Sequence, residues 1–350
     1  MVRKGGLEPP WAAPLDPKSS ASTNSATFAA AFAERASIAE NGRRPPEYRP
    51  AAAPRPEGKR ILSASYVPLP VSAAHYENFP VASFLVPRRL RRPILAIYRF
   101  ARAADDAADE GHAPPAERLA TLDRIGRALD RAVAGRPLPG DPFPDLAVAI
   151  ARHGLPRQLF LDLLSAFRQD VTTSRYPVYV DVLDYCRRSA NPIGRLLLHL
   201  YGAVSPANLA HSDAICTGLQ LVNLWQDIAI DWRKNRVYLP QEDLARFAVT
   251  EGEIADARCD ERWRALLAFE PARARALLAS GRPLPRALPW RLALELRGVL
   301  AGGHRILDAI DAAHGDVFRH RPQLRPRDWA VVAAHALFPP RRHRGAALAA

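Results

Sequence analysis

The sequence has few of the residues that would indicate a secreted, zinc-binding or membrane-spanning protein. Its three cysteines, Cys186, Cys216 and Cys259, are widely spaced and odd in number, so they form neither a zinc pattern nor a disulfide framework. No run of 18 apolar residues occurs, which predicts that no helix spans a membrane. No apolar segment follows the basic start, so a signal peptide is not expected. We therefore predict a cytoplasmic protein with core cysteines.

Methionine occurs only at the first position, and many of the 33 prolines fall before residue 70. Most apolar residues of this leader are alanines without periodicity, which is typical of disordered chain. We predict that residues 1–62 are disordered or precede the true start, which would then lie at a downstream non-ATG codon. Residues 339–350, PPRRHRGAALAA, are predicted to form a basic flexible tail.

The formal net charge of +13 requires an explanation. Nucleic acid, an anionic membrane surface and an anionic substrate are all compatible with such a charge. Few aromatic residues accompany the arginines, and no helix-turn-helix or zinc-finger signature occurs. Nucleic acid is therefore not an expected partner, which leaves a membrane surface or an anionic substrate.

Residues 63–338 have a helical pattern throughout. Apolar residues recur at spacings of three and four, and β-branched runs with a period of two are missing. Clusters of proline and glycine separate the helices. The pattern predicts about ten helices in one all-α domain, with no sheet and no internal repeat.

Polar residues form a narrow stripe on a predicted helix that is otherwise apolar, LQLVNLWQDIAID, from Leu219 to Asp231. Spacings of 3, 4 and 4 place them on one helical face. They are Gln220, Asn223, Asp227 and Asp231.

A second stripe lies on the predicted helix from Ile94 to Gly111. Its members are spaced 4, 3 and 4 apart, and they are Tyr98, Arg102, Asp105 and Asp109. Asp106 lies about 100° further round the helix, near the edge of the stripe.

Three interpretations account for the two acidic stripes. A solvated face would be broader and mixed with lysine and glutamate, whereas these stripes are one residue wide between apolar flanks. Acids that cap helix N-termini would sit at helix starts, whereas both pairs are predicted to lie well inside their helices. We favour the third interpretation, in which the stripes line the wall of a cavity.

Buried carboxylates need cations, and Mg²⁺ suits oxygen ligands and substrate phosphates. A di-iron site would need Glu-x-x-His pairs, which are missing. The expected substrate has an anionic diphosphate at one end and a long hydrocarbon at the other. Metal ions would improve the leaving group, and apolar and aromatic walls would shield the resulting cation.

The two stretches YRFARAADDAADEG and LQLVNLWQDIAIDWRKNRVYLP closely resemble the signature motifs of the squalene/phytoene synthase family. The resemblance runs from about Glu77 to Leu324. It implies an all-α, single-domain fold of the class I terpenoid synthase type, a helical bundle around a central cavity. It also implies two aspartate-rich motifs that bind Mg²⁺, and isoprenoid diphosphate substrates that are joined or rearranged head to head.

Within that family, ENFPVASFLVP and YCRRSANPIGRLLLHLYG resemble the branch of the hopanoid pathway. The resemblance implies conversion of presqualene diphosphate and water to hydroxysqualene. A separate reductase would then make squalene, so no NADPH site is expected. Because substrate and product are lipids, we also expect peripheral contact with a membrane, at its inner face.

The resemblance implies roles for individual residues. The metal-binding acids are Asp105, Asp106, Asp109, Asp227 and Asp231. The residues that contact diphosphate or metal are Arg102, Gln220, Asn223, Arg236 and Tyr238, and Tyr185 lies in the pocket. Tyr98 lies on the first stripe. For Asn191 and Arg195 we predict a contribution to pocket polarity or to placement of the water.

Two departures from the family pattern affect the predicted activity. Gln226 stands where relatives that condense two farnesyl diphosphates often have arginine, which favours a substrate with one diphosphate. Gly303 stands where a tyrosine is expected, which affects the cavity wall. Two alternatives remain: condensation of two farnesyl or geranylgeranyl diphosphates, and a non-catalytic isoprenoid-binding or assembly-factor protein. Retention of both aspartate pairs argues against the second.

Overall fold

The computed structural model describes residues 85–109, 111 and 113–338. The predicted leader, residues 1–62, and the predicted tail, residues 339–350, lie outside the described residues. So does the stretch 63–84, with which the predicted helical domain begins. The domain boundaries therefore stay predictions.

Helices account for the regular structure of the described part. In chain order they are α1 (Arg88–Asp109), α2 (Pro115–Val133), α3 (Pro144–His153), α4 (Arg157–Thr172), α5 (Tyr179–Ser189), α6 (Asn191–Tyr201), α7 (Pro206–Gln226), α8 (Ile228–Arg233), α9 (Gln241–Arg246), α10 (Glu251–Ala255), α11 (Glu261–Gly281), α12 (Trp290–Ala312) and α13 (Pro326–Leu337). A 3-10 turn (Leu284–Ala287) precedes α12.

The all-α prediction is confirmed. Across the described residues no strand forms, and the sole β-type pairing is an isolated bridge between Arg175 and Val237. The described residues form thirteen α-helices where about ten were predicted, and three short ones account for the difference. These three, α8, α9 and α10, have five or six residues, too few to show a helical period in the sequence.

Two groups of buried side chains form the core. The first joins α1 to α2, α3, α4 and α6, and at its centre the Phe100 ring meets Phe143 and Phe160 edge to face, with both centroid distances 5.3 Å. The second surrounds α7 and includes the fully buried Trp225 and Trp263. α1 belongs to one group and α7 to the other, so the two aspartate stripes lie on helices of different core groups.

Local signals fix where the central helices begin and end. The Ser205 hydroxyl accepts a hydrogen bond from the Asn208 backbone N–H (3.1 Å) and so caps the start of α7. Gly202 ends α6 with φ of 63°, a left-handed conformation that glycine adopts without strain. These caps set the register with which α7 presents its polar side chains.

The predicted continuous helix from Leu219 to Asp231 is wrong, because the chain breaks at Asp227. Asp227 has φ of −109° and ψ of 10°, so α7 ends before it and α8 begins after it. Its backbone N–H donates to the Asn223 carbonyl (3.0 Å), and its own carbonyl accepts from Asp231 (2.9 Å). The backbone hydrogen bonds continue across the break, which explains why sequence periodicity does not reveal it.

The argument that both acidic pairs lie well inside their helices fails for one acid, Asp227. This residue is the junction between α7 and α8 rather than an interior position of either helix. Its side chain makes no capping hydrogen bond at the start of α8.

Candidate active site

Arg102 binds two acids of α1, Asp105 on the first stripe and Asp106 at its edge. The guanidinium of Arg102 lies 3.3 Å from Asp105 Oδ2 and 2.7 Å from Asp106 Oδ1. Asp105 is only 6% exposed, so this stripe is not a solvated face. Tyr98, one turn before Arg102, is half-buried on the same helix.

Asp109 connects the two stripes. Its carboxylate lies 3.3 Å from Lys234 Nζ and 2.7 Å from Arg236 Nη2, both just after α8. These pairs join residues more than 120 positions apart in the chain. The end of α1 therefore lies against the end of α8, as the cavity interpretation requires.

The second stripe is buried. Gln220, Asn223, Asp227 and Asp231 are between 0% and 5% exposed. Burial raises the pKa of Asp231 well above its ordinary value, and the neighbouring charge of Asp227 raises it further. Lys234 and Arg236 oppose this rise in the pKa. Added positive charge would therefore stabilise the ionised forms of the two carboxylates in this stripe, Asp227 and Asp231.

Arg321 supplies positive charge to Asp227 from the segment between α12 and α13. Its Nη2 lies 3.2 Å from Asp227 Oδ2, and its Nε also binds the carboxylate. Gln226 donates a hydrogen bond from Nε2 to the Pro322 carbonyl and so holds the same segment. The sequence analysis did not identify Arg321, since nothing in its local pattern relates it to α7.

A buried carboxylate at the end of α4 completes the site. Asp170 accepts hydrogen bonds from the hydroxyls of Tyr185 (3.1 Å) and Tyr238 (2.9 Å), and its backbone carbonyl accepts one from Arg236 (2.8 Å). The two tyrosine rings lie 5.4 Å apart. Burial raises the pKa of Asp170 to about 7, while Arg236 opposes the rise.

The sequence analysis missed Asp170. A signal was present, because Leu163, Phe167 and Asp170 follow a spacing of four and three that puts the acid on the buried face of α4. An acid in such a position needs buried partners. The two tyrosines that it orients were both predicted as site residues.

Asn191 and Arg195 have other contacts. Asn191 is buried, and its Oδ1 accepts a hydrogen bond from the Thr217 hydroxyl (2.9 Å), one turn before Gln220. The guanidinium of Arg195 binds Asp213 (2.8 Å). The structure therefore brings Asn191 near the second stripe, whereas the contacts of Arg195 connect α6 to the first half of α7.

Gly303 is packed against two leucines. A Cβ atom at this position would lie 3.0 Å from Leu219 Cδ2 and 3.3 Å from Leu278 Cδ1. These side chains fill the space into which a tyrosine would project. The departure is thus compensated by packing, and it does not leave an opening at this point of the wall.

A small pocket opens beside Asp231. Apolar side chains, Leu224, Ile228 and Ile254 among them, form much of its wall, and Asp231 and Arg236 form its polar end.

The donor atoms at this site suit an oxygen-preferring divalent cation. The site contains six aspartates, namely the five predicted acids and Asp170. Four basic side chains accompany them, and these are Arg102, Lys234, Arg236 and Arg321. The buried Oδ1 of Asn223 accepts no hydrogen bond from the described residues. In that same part of the chain, no three acidic, histidine or cysteine side chains converge on one point. Mg²⁺ needs only one or two carboxylates besides water and phosphate oxygens, so the residues present fit it.

Asp170→Asn is expected to make stability less dependent on pH. The pKa of Asp170 is about 7 in the folded chain and near 4 when unfolded, so the parent protein loses stability as the pH rises through this interval. In the variant, the free energy of unfolding should fall less steeply with pH, by up to roughly 1 kcal/mol for each pH unit. Urea denaturation at pH 5, 6 and 7 measures the difference. Parallel curves for parent and variant would contradict the assignment.

Known proteins resemble this chain over most of its length. The family description "Squalene/phytoene synthase" matches residues 72–328. "Hydroxysqualene synthase" of Sinorhizobium fredii is 37% identical over 268 residues, which cover 76% of this chain and 89% of that protein. A protein of the same name from Rhodopseudomonas palustris is 36% identical, with 75% and 88% covered. The chain belongs to the squalene/phytoene synthase family.

Solved structures show the same architecture. Squalene synthase HpnC from Alicyclobacillus acidocaldarius aligns with a TM-score of 0.65 and 40% identity, covering 69% of this chain and 90% of that one. A dehydrosqualene synthase has a TM-score of 0.66 at 21% identity, and covers 72% of this chain and 88% of that one. The fold is therefore that of the isoprenoid synthases in this family.

Proposed function

We propose that this protein is an enzyme that converts presqualene diphosphate and water to hydroxysqualene and diphosphate with the help of Mg²⁺. The observation that carries the proposal is the contact of Asp109, on the first acidic motif, with Lys234 and Arg236, which follow the second. This contact joins two motifs that are distant in the sequence at one buried, charged place. The proteins named hydroxysqualene synthase that resemble this chain support the choice of reaction.

The charged residues would hold the diphosphate end of the substrate. Arg236, buried between Asp109 and Asp170, can present its planar guanidinium to phosphate oxygens. Asp105, Asp109, Asp227 and Asp231, with the amide oxygen of Asn223, would hold Mg²⁺. When bound, Mg²⁺ supplies positive charge that stabilises the departing diphosphate.

The apolar residues would protect the cation that forms when the bond between carbon and diphosphate oxygen breaks. Rearrangement of the cyclopropylcarbinyl skeleton moves the positive charge, and the electron-rich rings of Tyr185 and Tyr238, whose centroids lie 5.4 Å apart, would favour a cation that comes close to them. A water oxygen then forms the new bond to carbon, and its proton leaves with the released diphosphate. Exclusion of further water by the pocket wall limits the reaction to one addition.

Two other functions have less support. The first is condensation of two farnesyl or geranylgeranyl diphosphates, and a relative named 15-cis-phytoene synthase, from Synechococcus elongatus, is 32% identical to this chain. Gln226, which binds the Pro322 carbonyl, offers no charge to a second diphosphate. A non-catalytic role would not need the full set of buried acids.

The proposed chemistry also implies partners. A reductase would follow, because hydroxysqualene must be reduced to reach squalene, and the chain was not expected to bind NADPH. We propose cytoplasmic location with peripheral contact at the inner membrane face, since substrate and product are lipids. No helix among the described residues has the length and apolar character to cross a membrane.

The reaction can be tested with purified protein, Mg²⁺ and no NADPH. One sample receives presqualene diphosphate and another farnesyl diphosphate, and products are identified by gas chromatography and mass spectrometry. We expect hydroxysqualene from the first sample alone. Presqualene diphosphate or a C30 carotenoid precursor from the second would identify a condensing synthase instead. No product from either would support the non-catalytic alternative.

A further inference from the structure

Three large apolar side chains are exposed where α12 begins and α13 ends. Trp290, the first residue of α12, is 67% exposed, and Leu337 and Phe338 at the end of α13 are 58% and 78% exposed. Large apolar groups so open to water mark interaction sites when they occur together. Their position relative to one another therefore matters.

The two helices run antiparallel, which brings these residues to the same end. Arg305 binds Asp328 (3.1 Å) near the start of α13, whereas a Cβ atom at Gly298 would lie 3.9 Å from the Cβ of Ala336. With a rise of about 1.5 Å per residue, Trp290 lies about 12 Å beyond Gly298, in the direction in which the chain leaves Ala336. The three apolar side chains thus share one end of the helix pair.

Positive charge surrounds this end. Arg286 and Arg291 are exposed on either side of Trp290, and the Arg291 guanidinium lies 5.1 Å from the centroid of the Trp290 ring. The sequence has no acidic residue between Glu270 and Glu295, and none after Asp328. No acidic side chain of either chain segment therefore offsets the charge of Arg286 and Arg291 at this end.

The start of α1 adds more arginines on this side of the molecule. Arg88, Arg89, Arg91 and Arg92 are all exposed. Tyr201 of α6 packs against the core group that contains Val86 and Leu90 at the start of α1, and the charge of Glu295 on α12 acts on its phenol, so the start of α1 lies on the side of the molecule from which α12 begins. Glu295 is half-buried and offsets only a small part of this charge.

We propose that this basic apolar face docks on the surface of an anionic phospholipid bilayer. It comprises Trp290, Leu337 and Phe338 with the arginines Arg286, Arg291, Arg88, Arg89, Arg91 and Arg92. Aromatic and leucine side chains enter the headgroup region while arginines bind anionic headgroups. A second copy of the chain would place arginines against arginines, which is unfavourable. Nucleic acid would account for the charge but not for the exposed apolar groups.

The direction of α1 agrees with this orientation. Sixteen residues separate Arg89 from Asp105, so the acidic motif lies about 24 Å from the face along the helix. Under the proposed function, the hydrocarbon end of the substrate would point towards the bilayer. This relation rests on the proposed function, whereas binding to vesicles does not.

Vesicle binding by the full chain, without substrate, tests the docking surface. Co-sedimentation is measured with vesicles of phosphatidylcholine alone and with vesicles that also contain phosphatidylglycerol. We expect binding to the anionic vesicles only, with affinity that falls as salt rises. Equal binding to both kinds of vesicle, or none to the anionic kind at low salt, would overturn the proposal.

Variants assign the binding to this face rather than to the leader or the tail. Arg88→Gln with Arg89→Gln should weaken binding about 25-fold, or fivefold for each arginine. Trp290→Ser with Phe338→Ser should weaken it about tenfold. The control, Val148→Ser with Arg152→Gln, removes an exposed apolar residue and an exposed arginine from α3 and should change nothing.

Three results would contradict the assignment in different ways. Unchanged binding by both face variants would locate the membrane contact elsewhere. Conversion of a dimer to a monomer by Trp290→Ser with Phe338→Ser, without vesicle binding by the parent, would make the face a self-association surface. Binding of duplex DNA in place of vesicles, lost in the arginine variant, would assign the face to nucleic acid. Circular dichroism verifies that each variant is folded.

Discussion

Asp227→Asn is expected to lower the turnover of presqualene diphosphate in the presence of Mg²⁺ at least about 100-fold. Asp227 is 1% exposed and lies at the break between α7 and α8, where its carboxylate faces Asp231. Asparagine has nearly the same shape but no charge, so it should weaken the hold on the metal and leave Arg321 without its carboxylate partner. Initial rates over a range of Mg²⁺ concentrations measure the effect.

The matched control is Asp213→Asn, which lies on α7 as well. Asp213 is also paired with an arginine, Arg195, but away from the acidic stripes. We expect this variant to retain activity within about threefold of the parent, since surface ion pairs contribute little. A comparable loss in both variants would instead support the predicted role of Arg195 in the pocket. Asp227→Asn with normal turnover and normal circular dichroism would refute the metal-site proposal.

Arg273→Met is expected to lower the free energy of unfolding by about 3–5 kcal/mol. The Arg273 guanidinium binds two buried acids, Asp243 Oδ2 (2.6 Å) and Glu270 Oε1 (3.1 Å), and lies over the rings of Tyr179 and Phe269. Methionine fills much of the volume but leaves both acids without a cation. Urea denaturation followed by circular dichroism gives the difference.

The effect of Arg273→Met should depend on pH. Burial raises the pKa of Glu270 to about 8, so this carboxyl is neutral in the folded protein at pH 6 and charged at pH 9. Because the unfolded pKa lies near 4.5, the acid costs stability as the pH rises between these values. Arg273 lowers the pKa of Glu270, so its removal raises this pKa further and the cost continues to a higher pH in the variant. The variant should therefore be more strongly destabilised at pH 9 than at pH 6.

Arg275→Met serves as the control on the same helix. Arg275 binds Asp308 (2.9 Å) and Asp311 (2.7 Å), both about half exposed. Its loss should cost about 1 kcal/mol or less. Equal destabilisation by Arg275→Met and Arg273→Met would contradict the larger contribution that we assign to the buried contacts of Arg273.

The fold class and the two acidic stripes could be predicted from the amino-acid sequence. Helical periodicity exposes both, because a spacing of three and four residues reflects local backbone geometry. Asp105, Asp109, Asp227 and Asp231 could therefore be found from their neighbours alone. The family motifs added their order and separation.

Only the tertiary structure decided how those acids are paired and where the helices break. Asp109 meets Lys234 and Arg236, and Asp227 meets Arg321, across 94 to 127 positions of the chain. Asp170 joined the site in the same way, through Tyr185 and Tyr238. Such contacts depend on which helices pack together, and packing is set by the whole set of buried surfaces. No local pattern contains that information, so these residues became visible only in the folded protein.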